Sequence, residues 1–360
     1  MEIKELTLTN YKNLESETFR FKSSINCFVG NNGVGKSNIL DSIYHLAFGK
    51  SFFNPTSVQN IQFNKLFFVL EGKFLINSRN EKINCSFKKG QKKILKRNNK
   101  IYTKISDHIG LIPLVMISPD DIDLINEGSL YRRKFIDSIL GQIYSDYLIN
   151  LMHYNRILSQ RNSLLKYFAL NHTYDHKTID IYNKQLEDLG LPIFQKRKEF
   201  MKDFSPLFEN RYEAINSGTE KIKIEYTSAL EKYTIAELLV KSINKDRAYQ
   251  YTTEGIHKDD LNFLIHNKSI KKFGSQGQKK TFLIALKIAQ FDYLRKQKGV
   301  SPIILLDDIF DKLDQKRVTS LLKLMIQENF GQIFLSDTHE KRTLEALKKV
   351  ESDFDIFKIK

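Results

Sequence analysis

Three short stretches of the chain hold residue types whose spacing suits phosphate chemistry. Gly30-Asn31-Asn32-Gly33-Val34-Gly35-Lys36-Ser37 has the pattern G-x-x-x-x-G-K-S. Its glycines let the backbone wrap a phosphate with several N–H groups pointing inward, and a following helix adds the positive end of its dipole. Lys36 would reach the β- and γ-phosphates of a nucleotide, and Ser37 would ligate Mg²⁺. A chance match in a surface turn is the plain alternative. Against it, the apolar run Ile25 to Val29 leads into the loop, and Asn38-Ile39-Leu40-Asp41-Ser42-Ile43 leaves it with helical spacing. ATP is therefore expected along Gly30 to Asn38.

The second stretch is Ile303-Ile304-Leu305-Leu306-Asp307-Asp308, four aliphatic residues ending in two carboxylates. A buried strand would deliver Asp307 to its C-terminal edge, where open α/β sheets bind ligands. Asp307 would hold Mg²⁺ beside Ser37, directly or through water, and Asp308 would accept a proton from the attacking water. By itself the pattern also fits a strand ending in a solvated acidic pair; the phosphate loop is what gives it weight. The third stretch, Ser275-Gln276-Gly277-Gln278, opens a helix carrying Leu283, Leu286, Ile288 and Phe291. Free N–H groups there favour an anion, although Ser and Gly also serve as ordinary helix caps.

The elements that must position these residues follow from periodicity. Strands are expected at Ile3 to Leu8, Phe19 to Phe21 and Ile25 to Val29, with more β structure between 58 and 105. From Pro119 the texture turns helical. Phe135, Ile139, Ile143, Tyr147 and Leu151 predict one long amphipathic helix continuing toward Phe168, on the order of 50 Å long. A second helical stretch, Thr178 to Asn216, is expected to be interrupted near Pro192 and Pro206. Strands return at Lys221 to Thr227 and Leu261 to Ile265; later come a helix after Gly277, a strand at Ile303 to Leu306, a helix at about 315 to 328 and a strand at Ile333 to Leu335. The expectation is an α/β ATPase head, residues 1–118 and 219–360, split in sequence by a mostly α-helical arm, 119–218.

Composition narrows the class. At 360 residues, two domains of ordinary size are expected, and 41% hydrophobic with 28% charged residues suits a packed chain rather than a disordered one. No run of about 18 apolar residues suggests a membrane span, and Met1-Glu2-Ile3-Lys4-Glu5 does not begin a secretion signal. Cys27 and Cys85, the 2 cysteines, are too few for a disulfide framework or a four-cysteine zinc site, and a cytoplasmic location is expected. The net charge of +15 has two readings: codon bias toward Lys, or a polyanionic partner, nucleic acid first.

The order of the last two motifs is similar to that of ABC-type ATPases, in which an LSGGQ-like signature precedes the acidic strand. That resemblance implies that Ser275, Gly277 and Gln278 cap the γ-phosphate held by a second chain. One loop and one signature per chain then imply a head-to-tail homodimer closed over two ATP and released by hydrolysis.

More specifically, the chain resembles the RecF family of bacterial recombination and repair ATPases, related to SMC heads. The resemblance covers essentially the whole sequence. It rests on Leu8-Thr9-Asn10-Tyr11-Lys12-Asn13, the phosphate loop, Ile117-Ser118-Pro119-Asp120-Asp121, Gly128 with Arg132-Arg133-Lys134-Phe135-Ile136-Asp137, and Gln160-Arg161-Asn162. His257-Lys258-Asp259-Asp260-Leu261, the signature, and Leu306-Asp307-Asp308 through Leu313-Asp314 complete it. It implies a slow, Mg-dependent ATPase switch that dimerises with ATP, binds gapped, single- or double-stranded DNA, and works with RecO and RecR to load RecA in gap repair, replication restart and the SOS response. It also places Asp314 at the nucleotide and a γ-phosphate sensor among Asp337, Thr338 and His339. Phe53, Tyr182 and Lys258 depart from the family's usual residues. An ABC transporter energy subunit and an SMC-like DNA-tethering head are the alternatives; the helical arm of about 100 residues argues against the first and is too short for the second.

Between Lys82 and Lys104 stand nine Lys or Arg and no Asp or Glu. Such density suits sequence-independent contact with a phosphate backbone. It equally suits a solvated edge hairpin protected by lysines.

Overall fold

In the computed structural model, the short apolar runs pair into one parallel sheet. Its order is Phe354–Lys358, Ile25–Val29, Ile333–Asp337, Ile303–Leu306, Leu114–Ile117. Every residue of the three central strands is buried, which is why they read as continuous apolar runs rather than alternations. A second sheet is antiparallel, in the order Leu14–Arg20, Glu2–Tyr11, Phe67–Ile76, Arg79–Lys88, Ile94–Arg97, Lys100–Ile101. Its strands alternate, burying Leu6, Leu8, Phe68, Leu70, Ile83 and Cys85. These side chains share one core with Ile39, Leu40, Ile43 and Leu46 of the helix Lys36–Phe48, and with Leu114, Ile303 and Phe334 of the parallel sheet. A helix buried on nearly all sides, as this one is, has no free face to present to water.

The structure describes residues 1–216, 220–308, 315–350 and 353–360. The chain forms two compact units: Met1–Asp121 with Lys287–Lys360, and Ile122–Leu286. The sheets above belong to the first. The second comprises the helices Ser129–Ile143, Ser145–Leu170, His176–Asn216 and Ile235–Tyr249, with the three-stranded antiparallel sheet Lys268–Ser269, Asp260–Ile265, Ile222–Thr227. This division falls within the helix Gln276–Lys298, and assigns residues 220–286 to the helical unit rather than to the head. The cause is packing: Phe263 and Phe282 lie with Phe208 and Tyr212 of the long helix, the Phe208 and Phe282 rings 4.6 Å apart. The expected boundary at 218/219 lies outside the described residues.

Two helical expectations are corrected. The single helix from Phe135 toward Phe168 is two, because Tyr144 adopts an extended conformation (φ −116°, ψ 107°) between them. The stretch ending at Asn216 is one uninterrupted helix of 41 residues, with Pro192 and Pro206 inside it. Each proline costs a helix interior about 3 kcal/mol. Burial of Ile193, Phe200, Phe204 and Phe208 along one face offsets that, at roughly 1.5–3 kcal/mol per side chain.

The arm helices are joined through buried ions. Arg197 donates to Asp137 (2.9 Å), Asp259 (2.9 Å) and the carbonyl of Ile256 (2.9 Å). Arg161 donates to Asp246 and Thr252 at 2.8 Å each. Both guanidiniums are fully enclosed. The family-like residues Arg161, Asp137 and Asp259 thus hold this unit together.

Candidate functional site

The phosphate loop follows the buried strand Ile25–Val29 and ends at Gly35, which caps the helix Lys36–Phe48 with φ 108°. That conformation, and a Cβ that would lie 2.8 Å from the Asn13 side chain, admit only glycine there. Asn13 holds the loop from outside, donating to the Gly33 carbonyl at 2.9 Å and accepting from Asn38 at 2.7 Å. Gly30 cannot carry a side chain either, because its Cβ would meet the Ile359 carbonyl oxygen at 2.3 Å. Asn31, Asn32 and Gly33 are exposed, Val34 half-buried. Lys36 is buried, and its ammonium donates to the carbonyls of Gly30 (3.0 Å) and Asn31 (2.9 Å), arching back over the loop.

Strand order brings the acidic pair to the same edge. Ile25–Val29 and Ile303–Leu306 are separated only by Ile333–Asp337, and all three run parallel, so Gly30, Asp307 and Thr338 emerge at one end. Asp307 is buried, its N–H donating to the Ile117 carbonyl at 2.8 Å. Burial pushes its carboxyl above the ordinary range, while hydrogen bonds from Ser336 and Ser37 and the Lys36 charge pull the other way. Ser37, from the separate phosphate-loop motif, is therefore near enough to act on the Asp307 carboxyl. Asp308 sits at φ 43°, a strained value for a non-glycine residue.

One residue at this edge lacks any sequence signal. Ser336, fully buried, donates to Asp307 Oδ1 at 2.7 Å and accepts the Asp308 N–H at 2.9 Å. Its neighbour Asp337 turns inward, accepting from Arg342 (2.5 Å), Thr343 (2.5 Å) and the Thr338 N–H (2.8 Å). Of the three expected sensor positions, Asp337 is thus committed to the interior, Thr338 is half-buried and His339 exposed. Asp314 lies outside the described residues.

Ser275, Gly277 and Gln278 belong to the second unit. Ser275 and Gln278 form a reciprocal capping pair: the Gln278 N–H donates to the Ser275 hydroxyl (3.2 Å), and the Ser275 N–H to the Gln278 side chain (2.7 Å). The Gln278 amide also donates to Glu220 at 2.7 Å. His257 is a half-buried, satisfied group, bonded to the Tyr154 hydroxyl (2.9 Å) and the Thr252 carbonyl (3.0 Å), and desolvation pulls its pKa down to about 4. Asp121, within the 117–121 motif, caps the Ser118 N–H at 2.7 Å and pairs with Lys287 at 2.6 Å, which tethers the end of the edge strand. No helix among the described residues is long and apolar enough to cross a membrane.

Known proteins resemble this chain in sequence and fold. A family model described as an AAA domain matches residues 5–234. The chain is 55% identical over 359 residues to the DNA replication and repair protein RecF of Flavobacterium johnsoniae, covering 100% of both chains. It is similar to a solved structure of the recombination mediator protein RecF-ATP in the RecFOR pathway, with 29% identity, a TM-score of 0.90, and coverage of 99% of this chain and 95% of that one. An SMC head bound to the C-winged-helix domain of ScpA shares the fold alone, at 15% identity and a TM-score of 0.54, covering 95% of this chain and 91% of that one. The fold is the expected ABC/SMC-head-like ATPase domain with a mostly α-helical arm. With full-length identity of this order to curated relatives, the chain belongs to the RecF family of DNA replication and repair proteins.

Proposed function

We propose that this chain is an ATP-dependent, DNA-binding recombination mediator whose slow hydrolysis works as a switch. The observation that carries the reading is the meeting of Lys36, Ser37 and Asp307 at one sheet edge, with Asp308 beside them. Lys36, already bonded to two loop carbonyls, exchanges them for the β- and γ-phosphate oxygens of ATP. Gly30 to Asn38 supply the N–H cradle. Ser37 and Asp307 are hard oxygen donors brought near each other at this edge, which fits Mg²⁺. When bound, the ion neutralises phosphate charge. Asp308 takes the proton of the attacking water. Among the sensor positions, Thr338 and His339 remain toward the nucleotide edge, and Asp314 completes the expected contacts.

Ser275, Gly277 and Gln278 of one subunit are proposed to meet the γ-phosphate of the other through the helix N–H groups that the capping pair leaves free. ATP then closes a homodimer on gapped, single- or double-stranded DNA in the cytoplasm, and hydrolysis opens it. The structurally similar protein, described as a recombination mediator in the RecFOR pathway, supports RecO and RecR as partners; RecA loading in gap repair, replication restart and the SOS response is the outcome that the family resemblance implies.

The test is sedimentation of the protein with ATP, ADP or neither, with and without gapped duplex. Lys36→Ala is expected to lose ATP binding, Asp308→Asn to accumulate as an ATP dimer, and Ser275→Arg to bind ATP yet stay monomeric. A Ser275→Arg protein that dimerised and hydrolysed ATP normally would overturn the shared-site reading.

A further inference from the structure

The antiparallel sheet of the first unit ends in two neighbouring turns, one rich in lysine and one with an exposed phenylalanine at its apex. One joins Arg79–Lys88 to Ile94–Arg97, with the Gln91 N–H donating to the Lys88 carbonyl at 2.9 Å and Gly90 at φ 81°. The other precedes Phe67–Ile76, with the Lys65 N–H donating to the Gln62 carbonyl at 3.0 Å and Asn64 at φ 63°. They touch: the Lys89 N–H donates to the Leu66 carbonyl at 2.9 Å, and Phe67 stands opposite Lys88 in the ladder.

The charges of this region are not equivalent. Lys82 and Arg97 are neutralised, by Glu71 at 2.9 Å and Glu81 at 2.6 Å. Lys88, Lys89 and Lys92 are exposed, and no ion pair among the described residues involves them. A lysine-guarded sheet edge accounts for such charge, but it does not account for the exposed Phe63 and Leu66 beside it. Phe63, at the apex of that turn, is 87% exposed, and Leu66 is 62% exposed. A turn apex is where a polar residue has no cost, and clustered exposed apolar groups mark binding surfaces.

Unpaired cations beside an exposed aromatic ring match a polyanion that also offers flat apolar faces. In duplex DNA the base faces are covered by their neighbours; in a single strand they are free to stack on a phenyl ring. We propose that the Lys88–Lys92 turn and the Phe63 turn together form a surface for single-stranded DNA, with the lysines on phosphates and Phe63 against a base. This surface rests on the reading of the chain as a DNA-acting ATPase and assigns a place to one of its partners.

The test uses the full chain with ATP, titrated by fluorescence anisotropy into labelled oligothymidylate and into a duplex of equal length at several salt concentrations. The triple substitution Lys88→Glu, Lys89→Glu, Lys92→Glu is expected to weaken oligothymidylate binding by at least about tenfold and to make the salt dependence shallower by about 2 in slope, three contacts at about 0.7 each. Phe63→Ser is expected to weaken oligothymidylate binding about tenfold and duplex binding by less than about twofold. ATP-induced dimerisation unchanged in both variants reports an intact fold. Wild-type affinity and slope in the triple variant would overturn the proposal. So would equal losses on strand and duplex for Phe63→Ser, or poly-glutamate competing as well as oligothymidylate at equal charge, which would make this a surface for an acidic protein. A wild-type chain that bound no DNA at all would instead fail the functional reading itself.

Discussion

Ser336 lies on the strand Ile333–Asp337 and Asp307 directly follows the adjacent parallel strand Ile303–Leu306, and the serine hydroxyl donates to the carboxylate at 2.7 Å while accepting the Asp308 N–H at 2.9 Å. One buried hydroxyl therefore orients the residue expected at Mg²⁺ and the backbone of the residue expected to activate water. Ser336→Ala leaves Asp307 buried without this donor, at a cost of about 1–3 kcal/mol in local stability. The expected outcome is an ATP turnover reduced about tenfold with near-normal ATP affinity, since a misplaced catalytic group costs mainly kcat. Steady-state kinetics check it, and Ser336→Thr, which keeps the hydroxyl, should restore most of the rate.

Ser275 can be tested for two roles separately. Aspartate caps a helix as well as serine does, whereas alanine loses about 1 kcal/mol. Ser275→Asp should therefore match the wild-type melting temperature while losing ATP-induced dimerisation, because its charge repels the γ-phosphate. Thermal melts and sedimentation decide the matter; an ATP dimer formed at wild-type strength would reduce Ser275 to a cap.

Arg197 is the principal buried cation joining the arm to the 256–259 segment. Removing it strands Asp137 and Asp259, so Arg197→Met should destabilise the protein by about 3–5 kcal/mol. Arg197→Lys should recover only part of this, since an ammonium cannot reproduce the fork that reaches Asp137, Asp259 and the Ile256 carbonyl together. Urea unfolding followed by circular dichroism gives the comparison.

His257 is held neutral by burial, with its pKa down at about 4. The unfolded chain takes up its proton near pH 6.5, the folded one only near 4, so folding loses stability as pH falls through that interval. The contribution is on the order of 1–2 kcal/mol by pH 5, and it is absent above pH 7. His45, with a pKa down at about 3 behind Tyr11, acts in the same direction. His257→Gln should flatten the decline of unfolding free energy between pH 6.5 and 5; an unchanged slope would contradict the neutral histidine.

Much of the nucleotide edge was legible in the residues. A glycine loop between an apolar run and a helical spacing is a local pattern, and so is an aliphatic strand ending in two carboxylates; neither needs a distant partner to be read. The strands Ile25–Val29 and Ile303–Leu306 came out at the expected residues for the same reason. The helix Ile235–Tyr249 and the strand Phe354–Lys358 went unread, the first because its apolar face is short and the second because its residues are only half-buried.

By itself the sequence determined the chemistry on offer: a phosphate loop, an acidic strand end, a helix-opening Ser-x-Gly-Gln, and an excess of lysine. Only the tertiary structure decided how these are held. Sheet order set Ile333–Asp337 between the two motif strands, which made Ser336 their bridge and turned Asp337 to Arg342 and Thr343. Packing of phenylalanines carried one helix through two prolines, against local propensity. Register placed the Phe63 turn against the lysine turn. Periodicity is written into neighbouring residues, whereas the pairing of strands far apart in sequence is settled by which burial and hydrogen bonding the whole chain satisfies at once.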